Sequence, residues 1–288
     1  MIEPFIVAGL AVGSLYALSG VGMLLLYRTT GVLNLAYGAL GALAALISWQ
    51  LLQDGAADWP AYAVGVGAAG GVSLLYGSLL GPYLAEREPV VKATASLGLA
   101  LAILGALNWY WTDDTRTLAL PTDASGFDIG DLRVSTTQLV ALILAVTIPV
   151  GTAVYLRRST TGTSMRALAD DRELSSMLGV RVRLVESLAW LVSGVLGGIS
   201  GLLLADLTQL TATTLTFLVI PALAACVVGR FRSLWWTLFG GLLVGVLEAI
   251  GTPYSWISDY RSAAPFVVAI AVVLYLQRHK TVTFGVAR

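Results

Sequence analysis

Phe5-Ile-Val-Ala-Gly-Leu-Ala-Val-Gly-Ser-Leu-Tyr-Ala-Leu-Ser-Gly-Val-Gly-Met-Leu-Leu-Leu-Tyr27 runs without a single charged side chain and stops at Arg28. A membrane-crossing helix needs about 20 mostly apolar residues, and this run supplies them. No Lys or Arg precedes it, so it reads as a first span and not as a secretory leader. The rest of the chain repeats the theme. Of its 288 residues 57% are hydrophobic and 12% charged, and the mean hydropathy is +0.82. Soluble domains carry about 25% charged residues, so much of this surface faces lipid. The 31 glycines suit close helix packing in a bilayer.

Charge-free runs give eight further candidate spans: Leu35 to Gln53, Ala61 to Ala85, Ala93 to Trp111, Gln138 to Leu156, Ser187 to Ala205, Leu215 to Gly229, Leu234 to Gly251 and Ala263 to Gln277. The seventh, Leu215 to Gly229, is short and carries Pro221, so it either spans, breaks or re-enters. With the amino terminus outside, alternation puts all but Arg116, Arg133 and Arg261 of the 17 basic residues inside. That asymmetry is the positive-inside signature. The expected architecture is all-α: a polytopic membrane helix bundle of about 8–9 transmembrane helices, with the carboxyl terminus inside. It forms one membrane domain over residues 1–288. An external loop, 112–137, is rich in aspartate (Asp113, Asp114, Asp123, Asp128, Asp131), and an internal loop, 157–185, is basic and helix-forming.

Counting excludes several chemistries. The one histidine, His279, lies in the basic tail, and the one cysteine, Cys226, lies in an apolar run. No disulfide framework, multi-His or multi-Cys zinc site, or His-based catalytic arrangement can be assembled from them. The net charge of +0 argues against nucleic acid as a partner. No G-x-x-x-x-G-K-[ST] motif occurs, so ATP, if used, binds another chain. No cofactor or metal is expected.

Four features remain for function and packing. Gly9 with Gly13, Gly67 with Gly71, Gly194 with Gly198, and Gly241 with Gly245 each place small residues on one helix face, for packing inside the bundle or against another subunit. The segment Tyr27-Arg-Thr-Thr-Gly-Val-Leu-Asn-Leu-Ala-Tyr-Gly38 interrupts two apolar runs. It reads either as irregular backbone beside a pathway, offering Asn34, or as a plain turn at the inner interface. Glu248 stands as the acidic residue well inside an apolar run, which marks it for the pathway unless it reaches the outer interface. The internal loop, from Thr160 to Gly179, reads as one short polar helix capped by Thr163 or Ser164 and ended by a left-handed Gly179: either a surface helix or a docking element for a cytoplasmic partner.

The stretches Gly9-Leu-Ala-Val-Gly-Ser-Leu-Tyr-Ala-Leu18 and Thr30-Gly-Val-Leu-Asn-Leu-Ala-Tyr-Gly38 resemble the amino-terminal signature of the permease subunits of high-affinity branched-chain amino-acid ABC importers. The internal loop, with Gly162, Arg166-Ala167, Asp171 and Leu178-Gly179, is similar to that family's coupling loop. Trp236 to Glu248 resembles its late Gly-rich helix. This resemblance implies a prokaryotic plasma-membrane subunit that performs no covalent chemistry. It also implies a second permease, a paralogue by family expectation, two cytoplasmic ATPase subunits and an extracytoplasmic solute-binding protein. Asn34, Tyr37, Tyr16 and Glu248 are then expected near the substrate pathway. Arg166, Ala167, Asp170, Asp171, Leu178 and Gly179 are expected to meet the ATPase. The sequence departs from the family at Leu35-Ala36-Tyr37, at Ser175-Ser176 and at Pro221 with Val228 to Arg232, and relatives carry urea and amides, so the solute stays open. A secondary transporter or a channel for a small polar solute is the rival. It fits less well, because mid-membrane charges and filter-like sequences are scarce.

Overall fold

The computed structural model describes residues 3–112, 114–122, 126–129, 132–252 and 263–277. Arg261, His279 and the basic tail, and Asp113, Asp123 and Asp131 of the acidic loop, lie outside them. Every expected span falls on helix. Among the described residues, five helices are long and apolar enough to cross a membrane: α1 (Glu3–Thr30), α3 (Asp58–Leu84), α4 (Pro89–Trp111), α5 (Thr136–Arg158) and α8 (Val182–Leu207). Shorter ones are α2 (Tyr37–Gln53), α11 (Leu234–Ile250) and α12 (Ala264–Gln277). Between α5 and α8 lie α6 (Thr160–Asp170) and α7 (Arg172–Met177). The seventh span is broken into α9 (Ala212–Thr216) and α10 (Val219–Val228). One hairpin departs from the all-helical expectation. Strand β1 (Gly126–Ile129) pairs antiparallel with β2 (Leu132–Ser135), and Ser135 then caps α5 in a reciprocal box with Gln138.

Helices α1, α2 and α8 occupy the interior, with α11 along α1 and α3 along α8 and α2. Lipid tails are as apolar as leucine, so close packing decides which faces meet. Gly9 and Gly13 face Gly241 and Gly245 so tightly that a methyl on Gly13 would come within 2.9 Å of the Leu242 Cα. Gly194 and Gly198 likewise abut Ala69, and Gly198 also Val66, on α3. Gly67 and Gly71 do not pack against the described residues: among these, nothing lies within 4 Å of a side chain built there. At about 100° per residue they sit roughly 200° around α3 from Ala69 and Ser73, the positions that do face α8. Spacing alone finds a strip of small residues but not its direction.

The two ends of the bundle differ in charge. One end gathers Arg28, the α3–α4 turn with Arg87, the α6–α7 loop, and the α10–α11 turn, whose Arg232 carbonyl accepts from the Arg28 guanidinium at 3.2 Å. The other holds Asp54, Asp58, Asp114 and the carboxyl end of α8 with Asp206. They are the basic and acidic ends below.

Candidate functional site

A cavity of about 690 Å³ opens near the acidic end between α1, α8, α9–α10, α11 and α12, a size within the range of small-molecule sites. Helix α1 lines it with Ala8, Gly9, Val12 and Tyr16, and α11 with Gly245, Glu248 and Ala249; both sets follow the spacing of one helix face. Leu204, Leu207, Thr208 and Gln209 line it from the end of α8, and Thr214, Phe217 and Leu218 from the α9–α10 break. Tyr16 donates its hydroxyl to Glu248 Oε2 at 2.9 Å across the glycine-packed α1–α11 seam. Glu248 is the charged side chain among the described lining residues. Tyr16 and Glu248 thus meet on one cavity wall.

Toward the basic end the cavity is closed. Met23 and Leu24 of α1, Ala222 and Cys226 of α10, and Tyr37 at the start of α2 pack into a fully buried layer. Along α1 this layer begins seven residues past Tyr16, which at 1.5 Å per residue is about 10 Å deeper. Gly22 leaves the room that the Tyr37 ring fills. Tyr37 therefore belongs to the closure and not to the wall of this cavity.

Asn34 lies in the segment between α1 and α2, itself fully buried. The chain turns at Gly31, whose φ of +68° suits glycine, and re-enters the bundle before α2 begins. Buried irregular backbone must find protein partners for its polar groups. Ser96 of α4 supplies two, its hydroxyl proton shared between the Leu33 and Ala93 carbonyls, each at 2.8 Å, and its oxygen accepting from Leu35 N–H at 3.1 Å. Asn34 Oδ1 accepts from Ala36 N–H at 3.0 Å, and Thr30 Oγ1 from Val32 N–H at 3.1 Å. Asn34 shapes the backbone here and does not line the cavity. The segment is irregular backbone inside the bundle, not a surface turn, and just past it Gly38, in the first turn of α2, meets the Thr216 and Leu215 carbonyls at the end of α9.

At the basic end the internal loop is two helices, not one. Ser159, not Thr163 or Ser164, caps α6 by accepting from Gly162 N–H at 2.8 Å. Asp171 ends α6 in extended backbone and restarts the chain as the cap of α7, accepting from Leu174 N–H at 2.9 Å. Gly179, at φ +85°, closes α7 as expected. Met165 and Leu168 bury α6 against Leu25, Leu26 and Leu156, which leaves Arg166, Asp170 and Asp171 exposed and Ala167 half-buried. Helix α7 and its cap expose Leu174, Met177 and Leu178, the last two by three quarters of their surface. Single apolar residues on a surface are ordinary, but three on so short an element form an unpartnered apolar tip.

Sequence reading missed two carboxylates because α8 runs further at both ends than its apolar core. Glu186, buried, accepts from Arg172 Nε at 2.9 Å and so ties α7 to α8. Asp206 accepts from Leu120 N–H at 2.7 Å and pins the external loop. An acid flanking each end of one apolar run was the available signal.

The description "Branched-chain amino acid transport system / permease component" belongs to a family model that matches residues 5–274. The high-affinity branched-chain amino acid transport system permease protein BraD of Pseudomonas aeruginosa is 26% identical over 94% of this chain and 92% of its own. A probable branched-chain amino acid transport permease protein, LivH of Methanocaldococcus jannaschii, is 26% identical over 88% and 82%. PsaBC from Streptococcus pneumoniae, solved in complex with Fab, shares the fold with TM-score 0.50 and 11% identity over 96% of this chain and 90% of that one. With its helical bundle, its cavity and its two-helix loop, the chain belongs to the branched-chain amino acid transport system permease family of multi-pass membrane proteins.

Proposed function

We propose that this permease subunit carries branched-chain or related small amino acids inward across the plasma membrane of a prokaryote by ATP-driven alternating access. The cavity carries the reading: it opens at the acidic end and is closed toward the basic end by Tyr37 and its neighbours. The positive-inside bias assigns the basic end to the cytoplasm, so the cavity faces the side from which solute arrives. A loaded binding protein docks there. Two ATPase subunits sit on the basic end, where α7 offers Leu174, Met177 and Leu178. Closure of the ATPase pair moves α6 and α7, and the bundle passes to its second state. A second permease, of paralogous sequence, completes the pathway. Relatives named for branched-chain amino acids support the solute class.

The test is recovery of the tagged chain from gently solubilised membranes, followed by reconstitution. The expected result is co-purification of an ATPase with Walker motifs and a second permease, with uptake only when ATP and a binding protein are present. A chain that purifies alone and carries solute without ATP overturns the reading.

A further inference from the structure

We infer that the external segment from Arg116 to Leu120 is a latch: it holds the cavity rim open at the acidic end, and it has to let go before that rim can close over a solute. The inference rests on the proposed alternating access and goes beyond it by naming the element that keeps one of the two states. Leu207, Thr208 and Gln209 form the rim at the end of α8, and they are pinned on both sides. On one side Asp206 accepts from Leu120 N–H at 2.7 Å. On the other, Arg116 and Leu210 form an antiparallel bridge, in which Arg116 N–H donates to the Leu210 carbonyl at 3.1 Å and Leu210 N–H to the Arg116 carbonyl at 3.0 Å. Three residues between two pins have little slack.

The latch is anchored on helices that contribute nothing to the described cavity lining. The Arg116 guanidinium lies 5.0 Å from the centre of the Trp49 ring of α2. It also donates to the Trp111 carbonyl at the end of α4 and to the Asp114 carbonyl at 3.0 Å. Trp111 Nε1 donates to Gln50 Oε1 at 3.2 Å, which joins the anchor back to α2. Leu118, Leu120 and Leu210 are buried in the main apolar core, so the two pins are shielded from water and a broken bond finds no ready substitute. A rim that swings inward must therefore break both pins or drag the outer ends of α2 and α4 with it. In the outward-open arrangement all of these bonds are made, and they add their stability to that state alone.

Two measurements on the purified transporter test the latch. In the first, Gln209→Cys is labelled by a membrane-impermeant maleimide; the native Cys226 is fully buried and does not compete. Without nucleotide, adding Arg116→Ala is expected to slow labelling about ten-fold, the shift in population that the net loss of one charged hydrogen bond produces. A segment that merely braces the fold would act in the opposite sense, loosening the rim and speeding the reaction. An unchanged or faster rate overturns the inference. The second measurement needs no variant. Hydrogen exchange, resolved to single residues, is expected to show Arg116, Leu120 and Leu210 amides protected without nucleotide and losing protection together, at least ten-fold, when ATP and vanadate trap the other state. Protection kept in both states, or lost at one pin alone, overturns the inference even if Arg116→Ala fails to assemble. Uptake by the unaltered transporter that needs no ATP removes the importer reading instead, and the nucleotide-free labelling comparison still decides whether the latch holds the rim.

Discussion

Two interruptions break apolar helix inside this bundle, and they are built differently. The first, between α1 and α2, is buried, and Ser96, Asn34 and Thr30 answer its backbone groups. The second, between α9 and α10, lines a cavity and leaves Phe217 more than half exposed. Irregular backbone at membrane depth survives either by protein hydrogen bonds or beside a water-filled space. One chain uses both solutions, and the helices that flank them touch where Gly38 of α2 meets Thr216 of α9. The first interruption is therefore read as fixed and the second as the part that moves.

That contact is where the comparison breaks most easily. In Gly38→Ala the new methyl would collide with the Thr216 carbonyl and approach the Leu215 carbonyl at 2.8 Å. Backbone atoms on both sides cannot rotate away, so the expected cost lies near the top of the overpacking range, about 3 kcal/mol. It should give the lowest melting temperature of the series in detergent, and a melting point near that of the unaltered protein would show that the helices flanking the two interruptions are not in contact. Ser96→Ala comes next. It removes the partner of both the Leu33 carbonyl and the Leu35 N–H in a dry setting, for an expected loss of about 2 kcal/mol. Denaturation in graded detergent mixtures measures it, and a loss under about 0.5 kcal/mol would mean that water reaches this segment.

A milder change lies at the start of α9, the short helix that leads into the second interruption. Thr211 caps α9 by accepting from Thr214 N–H at 3.2 Å, and both hydroxyl-bearing residues lie near the open cavity. Thr211→Ala is expected to cost about 0.5 kcal/mol, the low end for a cap, since solvent replaces the lost oxygen. An effect as large as that of Ser96→Ala would show that the start of α9 is as dry as the first interruption.

How far the sequence disclosed this contrast depends on what each feature needs. The spans were legible because absence of charge over about 20 residues has one common cause. That the chain is interrupted after the first span was legible, because Arg28, Thr29, Thr30 and Asn34 stand between two apolar runs, but the same residues suited a plain interfacial turn equally well. The second was half-legible: Pro221 and a short run marked it as weak, but the break falls at Phe217-Leu218, both apolar, so it left no polar trace. Asp171 looked like the interior of one helix, because an aspartate continues a helix or caps the next one according to backbone geometry. The Tyr16–Glu248 bond joins residues 232 positions apart, and no local pattern encodes such a pair. The glycine strips were visible, yet which of them turned inward depended on the facing helix.

Pro221 gives the smallest expected change in stability and the sharpest test of which interruption moves. It sits in the first turn of α10, where a missing N–H costs little, and the Phe217 carbonyl accepts instead from Ile220 N–H at 2.9 Å. Pro221→Ala restores an N–H able to bond the Phe217 carbonyl in helical register, a gain of about 1 kcal/mol. It also returns conformational freedom to the unfolded chain, a loss of about 0.4–1 kcal/mol. The two terms nearly cancel, so the melting temperature should stay almost unchanged. The barrier to bending at Phe217 should rise, because α9 and α10 can now run on as one helix across the cavity floor. The expected outcome is an intact, normally assembling permease with slower uptake and little change in KM. Uptake at the unaltered rate would show that the α9–α10 break is static, and the moving element would then have to be sought in the α1–α11 wall.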